Sequence, residues 1–173
     1  MKQWVRELKP NGKLPVRMGW QGAFQGFDIV GGPYDAFRHT PNSFGVCVRA
    51  EGIHDVHLDL LLAIPDFSVP DQSPDHVREV LRRTLQAALD GKEVYVGCMG
   101  GWGRTGLFLA LLAKATGERD PVAYVRKHYS PRAVETVAQA RYVASFDVSE
   151  VHVWFARTAW RKWWMDRVFW WAH

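Results

Sequence analysis

The sequence predicts an α/β fold: a single domain with a central, mostly parallel, twisted sheet flanked by helices and closed by a tryptophan-rich C-terminal helix. Three observations predict it. The runs 44–48 and 93–98 are β-branched or apolar and bounded by turn residues, as strands buried on both faces are. Elsewhere apolar residues recur at helical spacing. The run 93–98 also passes through a glycine-rich turn straight into an apolar helix, which is how an open α/β sheet builds an anion site. At 173 residues, 47% hydrophobic and 13% aromatic, the chain can bury one core and is too apolar to be disordered. Two cysteines make no disulfide framework, so the redox context reads as reducing and cytoplasmic.

The first 40 residues read as irregular, because Gly12, Gly19, Gly22, Gly26, Gly31 and Gly32 break up Trp4, Trp20, Phe24 and Phe27 without a period. Short strands are expected there only around Phe27 to Val30. Strands are predicted at 44–48 and 56–64. Ser73 and Pro74 then supply a helix cap and first position, and Val77, Val80, Leu81, Leu85, Ala88 and Leu89 hold helical spacing until Gly91. After the strand 93–98, a helix runs through Leu107 to Ala115 and ends at Gly117. Asp120 with Pro121 opens another. Ser130 with Pro131 is predicted to open a fourth, whose Val134, Val137, Ala138, Arg141 and Tyr142 share a face.

The remaining residues differ in kind. Trp154, Trp160, Trp163, Trp164, Trp170 and Trp171 are six of the nine tryptophans, so the chain divides into a body, 1–150, and a tryptophan-rich extension, 151–173. Over 153–171 a helix is predicted that puts Trp160, Trp164, Val168 and Trp171 on one face, flanked by Trp163 and Trp170, with Arg161 and Lys162 outside it. It is expected to attach to something apolar: the body, a second copy or a membrane surface. The N-terminus carries charges where a signal peptide needs an apolar run, and the longest apolar stretches fall far short of the roughly 20 residues that span a bilayer. A net charge of +4 is too small and dispersed to argue nucleic-acid binding.

Two motifs overlap in the turn from Cys98 to Gly106. Gly101, Gly103 and Gly106 satisfy the dinucleotide fingerprint, but the acids that would hold the ribose, Glu118 and Asp120, lie in a turn with no strand before them. The stronger reading is a cysteine and an arginine five residues apart with a hydroxyl residue next. A loop of that length can curl round a tetrahedral phosphate, so that Met99, Gly100, Gly101, Trp102 and Gly103 offer backbone N–H groups and the helix N-terminus adds positive charge. Arg104 then supplies a planar fork for two phosphate oxygens, Cys98 the nucleophile, and Thr105 a hydroxyl for the sulfur when it leaves.

These residues resemble the signature His-Cys-x5-Arg-Ser/Thr of the cysteine-dependent protein tyrosine and dual-specificity phosphatases, in their compact Cdc14-like or cyclin-kinase-associated form. The resemblance is clearest over 44–146. It implies a phosphatase-like fold and phosphomonoester hydrolysis through a phosphocysteine, with phosphoproteins as substrates and no metal or cofactor. It also implies that the stretch Ile64 to Asp71 is the general-acid loop with Asp66 as the acid, Asp71 and Asp75 being alternatives, although Asp75 suits a helix first turn better. Gln139 becomes a candidate for positioning the hydrolytic water, and Cys47, on the strand beside Cys98, a candidate redox partner for it. One departure stands out. Gly97 occupies the place of the motif histidine, so activity is expected to be weaker and restoring histidine to raise it. The alternative is a catalytically weak phosphate- or phosphopeptide-binding module. His54 and His57 flank Asp55, but such a pair is more often solvated than a metal site.

Overall fold

In the computed structural model, residues 9–18, 24–53 and 57–170 are described. Five strands form one sheet in the order β1-β2-β5-β3-β4: β1 (Gly12–Met18), β2 (Phe24–Pro33), β3 (Ser43–Cys47), β4 (Leu60–Leu61) and β5 (Glu93–Cys98). The β2, β5, β3 and β4 neighbours run parallel, and β1 closes one edge antiparallel to β2. Five helices complete the fold: α1 (Pro74–Leu89), α2 (Gly103–Ala115), α3 (Pro121–His128), α4 (Val137–Ser145) and α5 (Ser149–Trp170). The sheet is therefore mixed and mostly parallel, as its hydrophobic runs predict.

Period-two alternation divides the sheet into two faces. Val46, Val94, Val96 and Cys98 belong to the main core together with residues of all five helices. Cys47 and Tyr95 belong instead to a small aromatic cluster with Tyr34, against which Phe37 packs. Helix α2 lies at the centre, with Leu107, Phe108, Leu109, Leu111 and Leu112 all fully buried, which explains its near-continuous apolar sequence.

Three expectations need correction. The N-terminal region is not irregular: it forms β1 and the ten-residue β2. Its glycines hid the strands because they serve packing. A Cβ on Gly31 would lie 2.8 Å from the Tyr129 ring, and one on Gly12 would lie 2.5 Å from the Tyr129 carbonyl oxygen. The strand expected over 56–64 pairs only at Leu60 and Leu61; Leu62 and Ile64 are fully buried without joining the ladder, and Val56 lies outside the described residues.

The fourth helix starts at Val137, not after Ser130. Arg126 donates to the carbonyls of Ala133 and Val134 at 3.0 and 2.9 Å, and Val134 has φ +60°, so this stretch is a turn. Thr136 is the true cap: its hydroxyl accepts from the N–H of Gln139 while Gln139 Oε1 accepts from the N–H of Thr136. The predicted face changes accordingly, with Val143 buried and Val137 exposed.

Helix α5 crosses the boundary drawn at residue 150. Val151, Phe155 and Ala159, spaced four apart, are buried in the main core, whereas no described side chain after Ala159 is buried. Truncating Phe155 to Ala should cost roughly 3–5 kcal/mol of stability, as large buried aromatics do. Trp160→Ala should stay within about 0.5 kcal/mol. Urea unfolding of the two variants checks this, and comparable losses would mean that the distal half of α5 is also docked.

Candidate active site

The site forms where β5 ends. Cys98 is buried and opens the turn that leads into α2. Its Sγ accepts the N–H of Gly101 at 3.2 Å. The same peptide unit presents its carbonyl, on Gly100, to Asn11 Nδ2 at 2.9 Å. Because a trans peptide points its N–H and C=O in opposite directions, holding the oxygen outward holds the N–H on the sulfur. The hydroxyl of Tyr129 donates to the Gly101 carbonyl. Gly101 has φ +76°, and a Cβ there would meet the Gly32 backbone at 2.4 Å. Only glycine fits.

Arg104 lies in the first turn of α2 and is 3% exposed. Its Nη1 donates to Glu51 Oε2 at 2.7 Å and to the Ile64 carbonyl at 3.2 Å. Its Nη2 lies 2.7 Å from Glu51 Oε1 and 3.0 Å from Asp66 Oδ1. Glu51, on the connection after β3, thus grips both arms of the guanidinium, and the hydrogen bond from Arg104 holds its carboxyl below the ordinary glutamate range. Sequence reasoning missed Glu51, because nothing in the run Arg49-Ala50-Glu51 signals which charge will face the loop. Nearby, the buried Arg49 pairs with Asp35 at 2.8 Å and reaches Met99 Sδ at 3.7 Å.

A pocket of about 190 Å³ is lined by Asp66, Phe67, Cys98, Met99, Gly100, Trp102, Gly103, Arg104, Glu135 and Gln139. It gathers most of the candidates named from sequence. Asp71 does not line it, and Asp75 is the α1 first-turn charge expected, bonded to Arg78 at 2.7 Å. Thr105 is fully buried, and its Oγ1 has no hydrogen-bond partner among the described residues. Gln139 lines the pocket, but both ends of its amide are committed, Oε1 to the Thr136 N–H and Nε2 to the Ser68 carbonyl at 3.1 Å. It ties the acid loop to α4. At the rim, the Arg132 guanidinium lies 4.7 Å over the Trp102 ring. Larger surface hollows, of about 530 Å³ beside Arg78 and Trp154 and about 570 Å³ beside Tyr124 and His128, are lined by no cysteine.

The packing argues against two sequence readings. A Cβ on Gly97 would lie 2.7 Å from Tyr34 Cα and 2.9 Å from the Gly32 carbonyl oxygen, both backbone atoms that cannot swing aside. Histidine at this position would therefore break the packing of the 3-10 turn Tyr34–Ala36 on β5 and would not restore activity. Cys47 pairs in register with Gly97, so it shares that residue's face and lies in the aromatic cluster, while Cys98 lies in the main core. Burial raises its thiol pKa, which works against a resolving role. Of the sequence's histidine pair, His54 lies outside the described residues. His57 instead stacks on His39 with ring centroids 3.7 Å apart and faces Asp59 at 3.7 Å, an exposed group away from the pocket lining.

The fold that carries this site is similar to solved structures. Tk-PTP in its active form superposes with a TM-score of 0.50 at 27% identity, over 64% of this chain and 79% of that one. Kinase-associated phosphatase, with its catalytic-site cysteine replaced by serine, gives a TM-score of 0.60 at 15% identity over 82% of this chain and 95% of that one. The chain has the fold of the tyrosine and dual-specificity phosphatases. No family model matches it. Two uncharacterised proteins of Methanocaldococcus jannaschii are each 35% identical over 88 residues, half of this chain and 58% and 54% of theirs, so the chain spans little more than half the length of these relatives.

Two outcomes follow from the geometry. Glu51→Gln leaves Arg104 less firmly aimed and should lower kcat/KM for a phosphomonoester by roughly 10- to 100-fold, because small displacements of a catalytic group cost about that much. Steady-state kinetics check it, and an unchanged kcat/KM would mean that Ile64 and Asp66 suffice to aim the fork. After mild peroxide, peptide mass spectrometry should find no bridge between Cys47 and Cys98, and Cys47→Ser should lose activity at the wild-type rate; a bridge recoverable with dithiothreitol would refute the two-face placement.

Proposed function

We propose that the chain is a cysteine-dependent phosphomonoester hydrolase, with Cys98, Arg104 and Asp66 as its catalytic residues and phosphoproteins as its substrates. The observation that carries this is the convergence of thiol, guanidinium and carboxylate on one pocket at the junction of β5 and α2. Cys98 attacks phosphorus while the ester P–O bond breaks, and Asp66 gives a proton to the departing oxygen. Water then attacks the phosphocysteine, Asp66 takes its proton, and the sulfur leaves, with Thr105 Oγ1 available to bond it. Arg104 and the loop N–H groups stabilise the equatorial oxygens throughout. These steps need no metal or cofactor.

The lining favours a singly phosphorylated group. It holds one cation, Arg104, against two carboxylates, Asp66 and Glu135, and no lysine. A polyphosphorylated headgroup would meet repulsion at that mouth, whereas a phosphorylated side chain needs only one anion site. Phe67 and Trp102 offer apolar walls for an aromatic ring. The second reading, a phosphate-binding module of low activity, is favoured by one observation, Gly97 in the place of the motif histidine.

Turnover of p-nitrophenyl phosphate and of a phosphotyrosine peptide tests both. Cys98→Ser and Arg104→Lys should each abolish nearly all hydrolysis while leaving the circular dichroism unchanged. Asp66→Asn should lower kcat by roughly 10²-fold for an alkyl leaving group and much less for p-nitrophenol. Wild-type turnover in Cys98→Ser would refute the mechanism. Binding of phosphate by a wild type that does not hydrolyse either substrate would select the binding module.

A further inference from the structure

Helix α5 carries two apolar stripes, and among the described residues only one of them has a partner. The first is Val151, Phe155 and Ala159, buried against the body. At 100° per residue, Val153, Trp160 and Trp164 fall within about 40° of one another on the opposite side of the helix. They are exposed at 47%, 55% and 53%. The Trp160 and Trp164 rings stack on each other, with centroids 6.2 Å apart and planes within 11°, so the two indoles form one continuous apolar plate. The side chains of Val168 and Trp171, expected on this face from the sequence, lie outside the described residues.

Cations border the plate. Arg157, Arg161 and Arg167 are exposed and fall within about 100° of Trp160 round the helix, whereas Lys162 falls on the far side, and the only acid between residues 157 and 170 is Asp166. The Arg167 guanidinium lies 4.6 Å over the Trp163 ring, so one cation is held beside the indoles. The distal part of the helix, residues 160–170, extends about 16 Å at 1.5 Å per residue. Among the described residues no helix is long and apolar enough to cross a membrane.

We propose that this face of α5 binds an anionic lipid surface, lying in the plane of the interface with Trp160 and Trp164 at the headgroup level. Indoles favour that level because each has an apolar body and a polar N–H, and the flanking cations face anionic headgroups. The charge pattern selects this occupant over a second copy of the chain. Two such faces brought together would juxtapose six cations with at most two acids, whereas an anionic bilayer neutralises the cations of one. The proposal stands apart from the phosphatase reading, since none of these residues lines the Cys98 pocket.

The test is co-sedimentation of the full chain with vesicles of phosphatidylcholine alone and of phosphatidylcholine with about 30% phosphatidylglycerol. The wild type should sediment with the anionic vesicles, weaken as salt is raised, and bind zwitterionic vesicles far less. The double variant W160A/W164A should lose roughly tenfold or more of that partitioning. Changing Arg157 and Arg161 to Gln should remove the preference for anionic lipid while leaving the plate intact. Circular dichroism establishes that each variant is folded. Absence of binding to either vesicle, or equal binding by wild type and W160A/W164A, would overturn the proposal. So would a concentration-dependent dimer in sedimentation equilibrium that the double variant loses, which would assign the plate to a second copy.

Discussion

A guanidinium cannot shed its charge, so burying one obliges the surrounding chain to supply acceptors. Arg104 is 3% exposed, and its two terminal nitrogens face four acceptor atoms drawn from two separate segments. Glu51 comes from the connection after β3, and the Ile64 carbonyl and Asp66 both come from the connection between β4 and α1. Leaving any one unmade would strand a donor in a poorly solvated place. The arginine therefore organises the loops around it as well as the phosphate it would bind. Gln139 adds a second tie, from α4 to the Ser68 carbonyl, so the acid loop is held at both of its sides.

A different constraint acts beneath the loop. The peptide unit between Gly100 and Gly101 can aim its N–H at Cys98 only if its carbonyl is received on the other side, which Asn11 does. That brings the approach to β1 close to the loop, and Gly32 and Gly101 then meet with no room for a Cβ. Gly97 belongs to the same economy of space. The Tyr34 backbone occupies the volume where a side chain at 97 would begin, and the Tyr34 ring fills the aromatic cluster with Tyr95. The absent histidine is thus the consequence of packing a turn against the central strand. It is a local trade of a polar side chain for backbone contact.

How much of this was legible depends on whether the signal was local. Glu93–Cys98 and α1 carried their own punctuation, Ser73 with Pro74 at the start of the helix and Gly91 at φ +83° after it, and their bounds lay within two residues of the reading. The spacing of Cys98 and Arg104 is local too, and of the stretch Ile64 to Asp71, singled out by resemblance, Asp66 lines the pocket. Of β1 and β2 only the short strand expected around Phe27 to Val30 was legible, because Gly12 and Gly31 answer to Tyr129, roughly a hundred residues away. The start of α4 was misread since Ser130-Pro131 looks like a cap, while the arginine that turns the chain there, Arg126, belongs to the preceding helix. Glu51 and the face of Cys47 were hidden for the same reason: one depends on a tertiary contact and the other on strand register, which a single residue's slip would reverse.

The ion pair at Arg104 also bears on how a phosphate would enter. Nη1 donates to Glu51 and the Ile64 carbonyl, and Nη2 is ion-paired with Glu51 and Asp66, so both terminal nitrogens already face carboxylates. An incoming phosphate must therefore replace one of the acids. Asp66 is the one with less to lose, being a single contact at 3.0 Å on a carboxylate that is 62% exposed, whereas Glu51 makes two at 2.7 Å. Displacing Asp66 would free the very group that the proposed reaction asks to protonate the leaving oxygen. Glu51 stays, and its depressed pKa fixes the sign of its contribution: the stabilisation is present above the ordinary glutamate range and is lost as pH falls through the folded-state value. Acid would thus loosen the aim of the arginine through Glu51 before the arginine itself could change charge.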